Sequence, residues 1–329
     1  MMNHSPFRIV TFNAHQPYLH LFHSLPVVLD IIQLKNHHRF LQEWSESVRP
    51  LPEGWELIDE EEGGKRILAG RYDLALAHNI SDYIDFNRYS VAKVLLVHVS
   101  LTGRMLEEQS DIRRGDYLSD VRKLLSATEG KVVYISDFKK RDWGIDGEVI
   151  PHGIDLADYS PYTGETPRIL RVANNLVKRS PILDYEAHRN LTRDYPVTLI
   201  GDNPGIPESR RSKSWEDLKN LYASHRLYLH TAVSNCEDGF NLAMLEAMAT
   251  GMPVVSTAHP TSPIQDGVNG FISDDLEYLR EKIALLLSNR ELAIQLGRKA
   301  RETVARESSV TAFGERWNRI FQEVSGGKK

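Results

Sequence analysis

Two carboxylates, Asp238 and Glu246, bracket seven residues in the stretch CEDGFNLAMLEAMATGMPVVS, residues 236–256. Asp238 precedes an apolar run, and Glu246 lies inside it. A carboxylate buried without a partner costs several kcal/mol, so a Glu there needs a job. Asp238 also stands where a helix-capping Asp belongs, and that bland use is as good for it alone. Gly239, Phe240 and Asn241 fall between the acids, at the expected positive end of a helix dipole. Backbone N–H groups there bind anions, and a glycine permits close approach. Acid, anion site and second acid match a sugar, a diphosphate and a ribose in sequence, the layout of a nucleotide sugar.

The element that positions these groups is a helix. Phe240, Ala243, Met244, Ala247 and Met248 follow the i, i+3, i+4, i+7, i+8 spacing of a packed face. Leu242, Leu245 and Ala249 widen that face until almost no polar side is left. At about 1.5 Å rise per residue, Glu246 would sit roughly 9 Å along the axis from the helix start. Gly251 suits a left-handed C-terminal residue, and Pro253 stops the helix from resuming. Val254 and Val255 begin an interior strand.

Elsewhere, short apolar runs alternate with helical stretches. Strands are expected at Phe7–Phe12, Val27–Ile32, Tyr72–Ala77, Lys93–Val99 and Lys131–Ile135, with a helix at 36–47. A second set is expected at Arg168–Ala173, Val197–Ile200 and Arg226–His230, with helices at 185–191, 215–224, 276–289, 291–306 and 311–324. Such alternation predicts parallel, doubly wound α/β sheets, whose ligands sit beyond the C-terminal strand ends. Asn13, His15, His78, Asp82, His98 and Ser100 fall at such ends; a histidine there is also an ordinary loop residue.

The chain has 329 residues, enough for two α/β domains, and 40 basic against 45 acidic side chains. Mild negative charge without a basic stripe argues against nucleic acid as a partner, and none is expected. One cysteine, Cys236, excludes a disulfide framework and a cysteine zinc site; it is a small packed residue or, less simply, a nucleophile. Acid pairs such as Asp274/Asp275 suit turns and caps, so no metal is implied. No apolar run reaches membrane length and no signal-peptide core opens the chain, so a soluble, cytoplasmic protein is expected. Lys139-Lys140-Arg141 offers a weak membrane-surface contact, or a solvated charge run.

The stretch D238-GFNLAML-E246-AMATG-M-PVV resembles the E-x7-E segment of family-4 retaining glycosyltransferases, with Asp238 where the family has Glu. The resemblance implies the GT-B fold: two Rossmann-like doubly wound domains facing across a cleft. Residues 1–155 would form the acceptor-side domain, 156–167 the linker and 168–310 the donor domain, with helix 311–325 returning to complete the first. It implies a metal-independent hexosyltransferase moving a sugar from a UDP- or GDP-linked donor to a hydroxyl of a glycan, lipid or small molecule, with no further cofactor. Asp238 and His98 would serve the sugar, Glu246 the ribose, and Lys178 the departing diphosphate; cations there neutralise growing charge. Arg179, Asn174 and the Gly201 turn of GDNPG would complete the donor site, and Thr261 and Ser262 would offer it hydroxyls. His15, Gln16 and Tyr18 would shape the acceptor side. Two alternatives stand beside this: a non-catalytic GT-B binding subunit, or a GT-B nucleotide-sugar epimerase or hydrolase using His98 as base.

Overall fold

A computed structural model describes residues 6–33, 43–109 and 111–326, with side chains to 324. The chain divides into two compact units. The first comprises Met1–His98, Asp111–Gly153 and Val310–Lys329, the second Val99–Ser110 and Ile154–Ser309. Of the helix expected over 36–47, residues 36–42 lie outside the described residues, while 46–48 form a turn.

The first unit runs β1 (Phe7–Phe12), α1 (Gln16–His20), β2 (Val27–Ile32), β3 (Glu56–Ile58), α2 (Glu60–Leu68), β4 (Leu74–Ala77), α3 (Ile80–Asn87) and β5 (Lys93–Val97). The chain then contributes α4 (Leu101–Glu108) to the second unit and returns for α5 (Arg114–Thr128), β6 (Lys131–Tyr134), α6 (Asp137–Trp143) and β7 (Glu148–Val149). The second unit continues with β8 (Thr166–Val172), α7 (Ser180–Leu183), α8 (Tyr185–Thr192), β9 (Val197–Ile200), α9 (Trp215–Ser224) and β10 (His225–His230). It closes with α10 (Leu242–Thr250), β11 (Val254–Thr257), β12 (Gly270–Ser273), α11 (Leu276–Ser288) and α12 (Arg290–Glu307), after which α13 (Val310–Gly326) rejoins the first unit.

Both sheets are parallel. The first has the order β3-β2-β1-β4-β5-β6-β7, the second β12-β11-β10-β8-β9. Strand order reverses between β1 and β4 in one and between β8 and β10 in the other, which is where such sheets open a binding crevice. The interior strands are buried on both faces: every residue of β4, β5, β10 and β11 is buried. That requirement explains their continuous apolar runs.

Helix α13 covers the core of the first unit. Phe313, Trp317, Ile320 and Phe321 pack with Ile9, Tyr18, Phe22 and Leu29, and Phe321 stacks on Phe7 at 4.5 Å between ring centroids. In the second unit, Leu279, Ile283 and Leu286 of α11 pack on Ile169, Leu227 and Val255. Helix α4 belongs to the second unit through side-chain bonds. Ser100 caps it by accepting from Gly103 N at 2.9 Å and donates to the Cys236 carbonyl. Glu107 pairs with Arg179 at 2.6 Å.

Candidate functional site

In the second unit, β10 ends at His230 and the chain loops to Asp238 before α10. Helix α10 starts at Leu242, later than the expected separation of roughly 9 Å from Glu246 implies, because Asn241 caps it: its Oδ1 accepts from Met244 N at 2.8 Å. Glu246 therefore sits about 6 Å along the axis, in the second turn. The amides expected to hold an anion shift accordingly. Gly239 N is already spent on Thr261 Oγ1 at 2.9 Å, and the first-turn amides are those of Leu242 and Ala243. Phe240 and Asn241 precede the helix and form its entrance.

Both acids are buried, Asp238 wholly and Glu246 to 2% exposure. Tyr222 of α9 donates its hydroxyl to Glu246 Oε2 at 3.0 Å, which fixes the carboxylate against the helix. Asp238 N donates to the Glu237 carboxylate at 2.9 Å. The loop 258–263 closes over Gly239: a Cβ there would lie 2.5 Å from the His259 Cβ, so only glycine fits. Thr261 N donates to His259 Nδ1 at 3.1 Å, making that nitrogen an acceptor. The Thr261 hydroxyl, 2.9 Å from the same nitrogen, then relays the Gly239 amide to the ring. Its hydroxyl is thus committed to the loop and not offered to a diphosphate.

The loop after β8 differs from the expected phosphate grip. Lys178 is exposed in the turn 176–179. Arg179 is held by Glu107 instead. Asn174 spends its Oδ1 on Asp202 N at 2.8 Å, and Gly201 donates its amide to the Arg210 carbonyl at 2.9 Å. Gly201 has φ +138°, and a Cβ would fall 2.0 Å from the Ala173 carbonyl, so its glycine serves the turn. One cation in this region is fully buried. Arg171 of β8 donates to the Leu229 and Thr231 carbonyls at 2.9 and 3.2 Å, tying the end of β10 in place. Burial together with that cation holds His230 well below its usual range.

In the first unit, histidines gather at the reversal point. His78 Nδ1 and His98 Nε2 lie 2.8 Å apart, and His78 Nε2 lies 3.1 Å from Thr11 Oγ1. The Thr11 hydroxyl donates to the Leu76 carbonyl at 2.8 Å. His15 stacks on His98 with ring centroids 4.8 Å apart, and Tyr18 meets His98 edge-on at 4.8 Å and His152 at 5.6 Å. Burial, then the nearby His15, pushes His78 down to about 3. Burial, His15 and the buried Lys139 do the same to His152, and burial holds His98 well below the usual histidine range.

Two acceptor-side expectations are corrected here. Gln16 donates to the Ser45 and Arg49 carbonyls at 2.7 and 3.2 Å and accepts from Ser45 N at 2.9 Å, so its whole amide anchors the segment 45–49. Tyr18 is fully buried and belongs to the core. His15 Nδ1 caps α1, accepting from Tyr18 N at 3.2 Å. The basic run 139–141 is no surface cluster: Lys139 is 1% exposed, and Lys140 pairs with Asp146 and the Gly147 carbonyl. Among the described residues, no helix is long and apolar enough to cross a membrane, and no group of three His, Cys, Asp or Glu could hold a metal.

Sequence reasoning missed Tyr222, His259 and Glu107. The HPTSP run at 259–263 signalled His259, since bulky residues there must be built around Gly239. Tyr222 and Glu107 carried no signal, because each acts on a residue far away in sequence.

The two parallel sheets with their covering helices have the GT-B fold. Residues 211–303, which include α10 and both acids, match the family model described as Glycosyl transferases group 1. Among curated relatives, trehalose synthase of Pyrococcus horikoshii is 34% identical over 140 residues, 42% of this chain and 31% of that protein. A poly(ribitol-phosphate) alpha-N-acetylglucosaminyltransferase of Staphylococcus aureus is 33% identical over 26% of this chain and 18% of its own. The chain thus spans a third or less of the length of these two curated relatives. Among solved structures, Anabaena HepE in complex with UDP and glucose aligns with a TM-score of 0.68 at 14% identity, over 96% of this chain and 99% of that one. A glycosyltransferase from Rickettsia africae aligns at 0.64 and 16% identity, over 98% and 99%.

Proposed function

We propose that the protein is a retaining glycosyltransferase that moves a hexose-type sugar from a nucleoside-diphosphate donor to an acceptor hydroxyl. The observation that carries this is Glu246: a buried carboxylate on a helix whose other described residues are apolar or small, held by Tyr222 and pointing to a use beyond packing. The group 1 match over the same segment supports it, as do structural neighbours solved in complex with UDP or UDP-glucose. In this reading Glu246 binds the ribose hydroxyls and Asp238 the sugar. The Leu242 and Ala243 amides, with Lys178, meet the diphosphate, and His98 serves the sugar. Asp238, one methylene shorter than Glu, reaches less far. No side chain acts as covalent nucleophile; the departing phosphate assists acceptor deprotonation.

Calorimetric titration with UDP, GDP, ADP and CMP, on wild type and Glu246→Gln, tests the donor site. One diphosphate binds selectively, and the variant loses tenfold or more. If none binds better than millimolar, about −4 kcal/mol, the transferase reading is wrong.

The commitment of Arg179 to Glu107 and of Asn174 to Asp202 favours one second reading, a GT-B subunit that binds a nucleotide sugar without turning it over. Donor turnover with an acceptor panel separates the two.

A further inference from the structure

Hydrogen positions along Thr11, His78 and His98 follow from one end of the chain. The Thr11 hydroxyl has a single proton, and the Leu76 carbonyl takes it at 2.8 Å. Thr11 Oγ1 must then accept from His78, so the His78 proton is on Nε2. A neutral imidazole carries one donor and one acceptor. His78 Nδ1 is therefore bare and accepts from His98 Nε2–H at 2.8 Å. That leaves His98 Nδ1 as a lone pair, buried and without a hydrogen-bond partner among the described residues.

The reverse order is worse on two counts. It takes the Thr11 proton from the Leu76 carbonyl, and it turns His98 Nδ1 into a buried N–H with nothing to receive it. An orphaned buried donor costs about 1–3 kcal/mol. Burial keeps both rings neutral, so the assignment is not blurred by a second proton. His15, stacked on one face of His98, and Tyr18, edge-on to it, hold the ring plane.

We propose that Thr11 and His78 are positioning residues for His98, holding it as the Nε2–H tautomer so that Nδ1 is the acceptor for a hydroxyl of the substrate. This rests on the assignment of His98 to the sugar. An acceptor-only nitrogen takes a hydroxyl hydrogen and repels a carboxylate, so the relay also sets which substituents are tolerated beside His98. A buried polar atom left unpaired by the protein is what a bound hydroxyl would satisfy.

Long-range proton–nitrogen NMR on uniformly labelled full-length protein reads the tautomer without any assay, with His98→Gln identifying the signals. Wild type shows Nε2 protonated and Nδ1 bare. His78→Phe removes the acceptor, and the His98 ring then populates both tautomers. His78→Asn, whose side-chain oxygen stands near the lost Nδ1, restores the original one. In parallel, His78→Phe lowers kcat about tenfold while the affinity for the nucleoside diphosphate alone is unchanged, and His78→Asn recovers most of the rate. A purely structural role moves affinity and melting temperature with the rate. A protonated Nδ1 in wild type, a tautomer indifferent to His78→Phe, or an unchanged kcat in that variant overturns the proposal. A wild type that turns over no donor sinks the transferase assignment and the substrate half of this proposal, while the tautomer still decides the positioning half.

Discussion

At the scale of single residues, the site is a set of side chains whose partners decide what they can do. Glu246 could be picked out from sequence because a carboxylate in an apolar helix has no bland explanation. Its partner could not, since Tyr222 stands 24 residues away and reads as an ordinary core aromatic. Removing only that hydroxyl tests the arrangement. Tyr222→Phe leaves the ring packed and frees the carboxylate to turn; a hydrogen bond to a charged group is worth about 1.5–3 kcal/mol, and part of that is lost from donor binding. The expected outcome is a five- to fiftyfold rise in donor KM with kcat nearly unchanged, read from steady-state kinetics. A fall in kcat at constant KM would place Tyr222 elsewhere in the reaction. The same local competition explains why Gly239, Arg179, Asn174 and Gln16 differ from expectation. Residue type announces a donor or cation, but a nearer partner takes it: Thr261, Glu107, Asp202 and Ser45 respectively.

At the scale of elements, patterning was informative wherever burial was strong. Phe7–Phe12, Val27–Ile32, Val197–Ile200 and Trp215–Ser224 have the limits their apolar spacing indicates. The short strand β3 was not legible, since a three-residue edge strand carries too little pattern. Nor was the allegiance of α4, which depends on the Ser100, Gly103 and Glu107 contacts rather than on amphipathicity. Helix α13 shows the opposite case: its apolar face is regular and its job is packing. Trp317 is fully buried, between Phe22 at 5.0 Å and Phe321 at 5.7 Å. Trp317→Ala leaves a large cavity and costs about 3–5 kcal/mol, visible as a lowered denaturant midpoint. A loss under about 1 kcal/mol would mean that the helix adds little to the core.

At the scale of the molecule, the buried histidines set how stability depends on pH. Burial first, with neighbouring positive groups second, pushes His78, His152 and His188 down to about 3 and His225 to about 4. In the unfolded chain these groups titrate near 6.5. Above that value neither state is charged and the fold has its full stability. As pH falls below it, the unfolded chain takes protons that the folded one refuses, so stability is lost progressively until the folded values are reached. Each such histidine contributes up to about 1.4 kcal/mol per pH unit, so His78 and His152 together contribute about 3 in the first unit alone. Four of the five tryptophans (Trp44, Trp55, Trp143 and Trp317) lie in that unit, so fluorescence chiefly follows its unfolding. Denaturant midpoints by fluorescence should be level from pH 8 to 7 and fall steeply from about 6 to 4.5. Replacing His152 by Asn, which cannot take a proton, should flatten the slope by about one histidine's share even if it lowers the midpoint at neutral pH. A level curve to pH 4.5 would mean that water reaches these rings and that they titrate as exposed groups do.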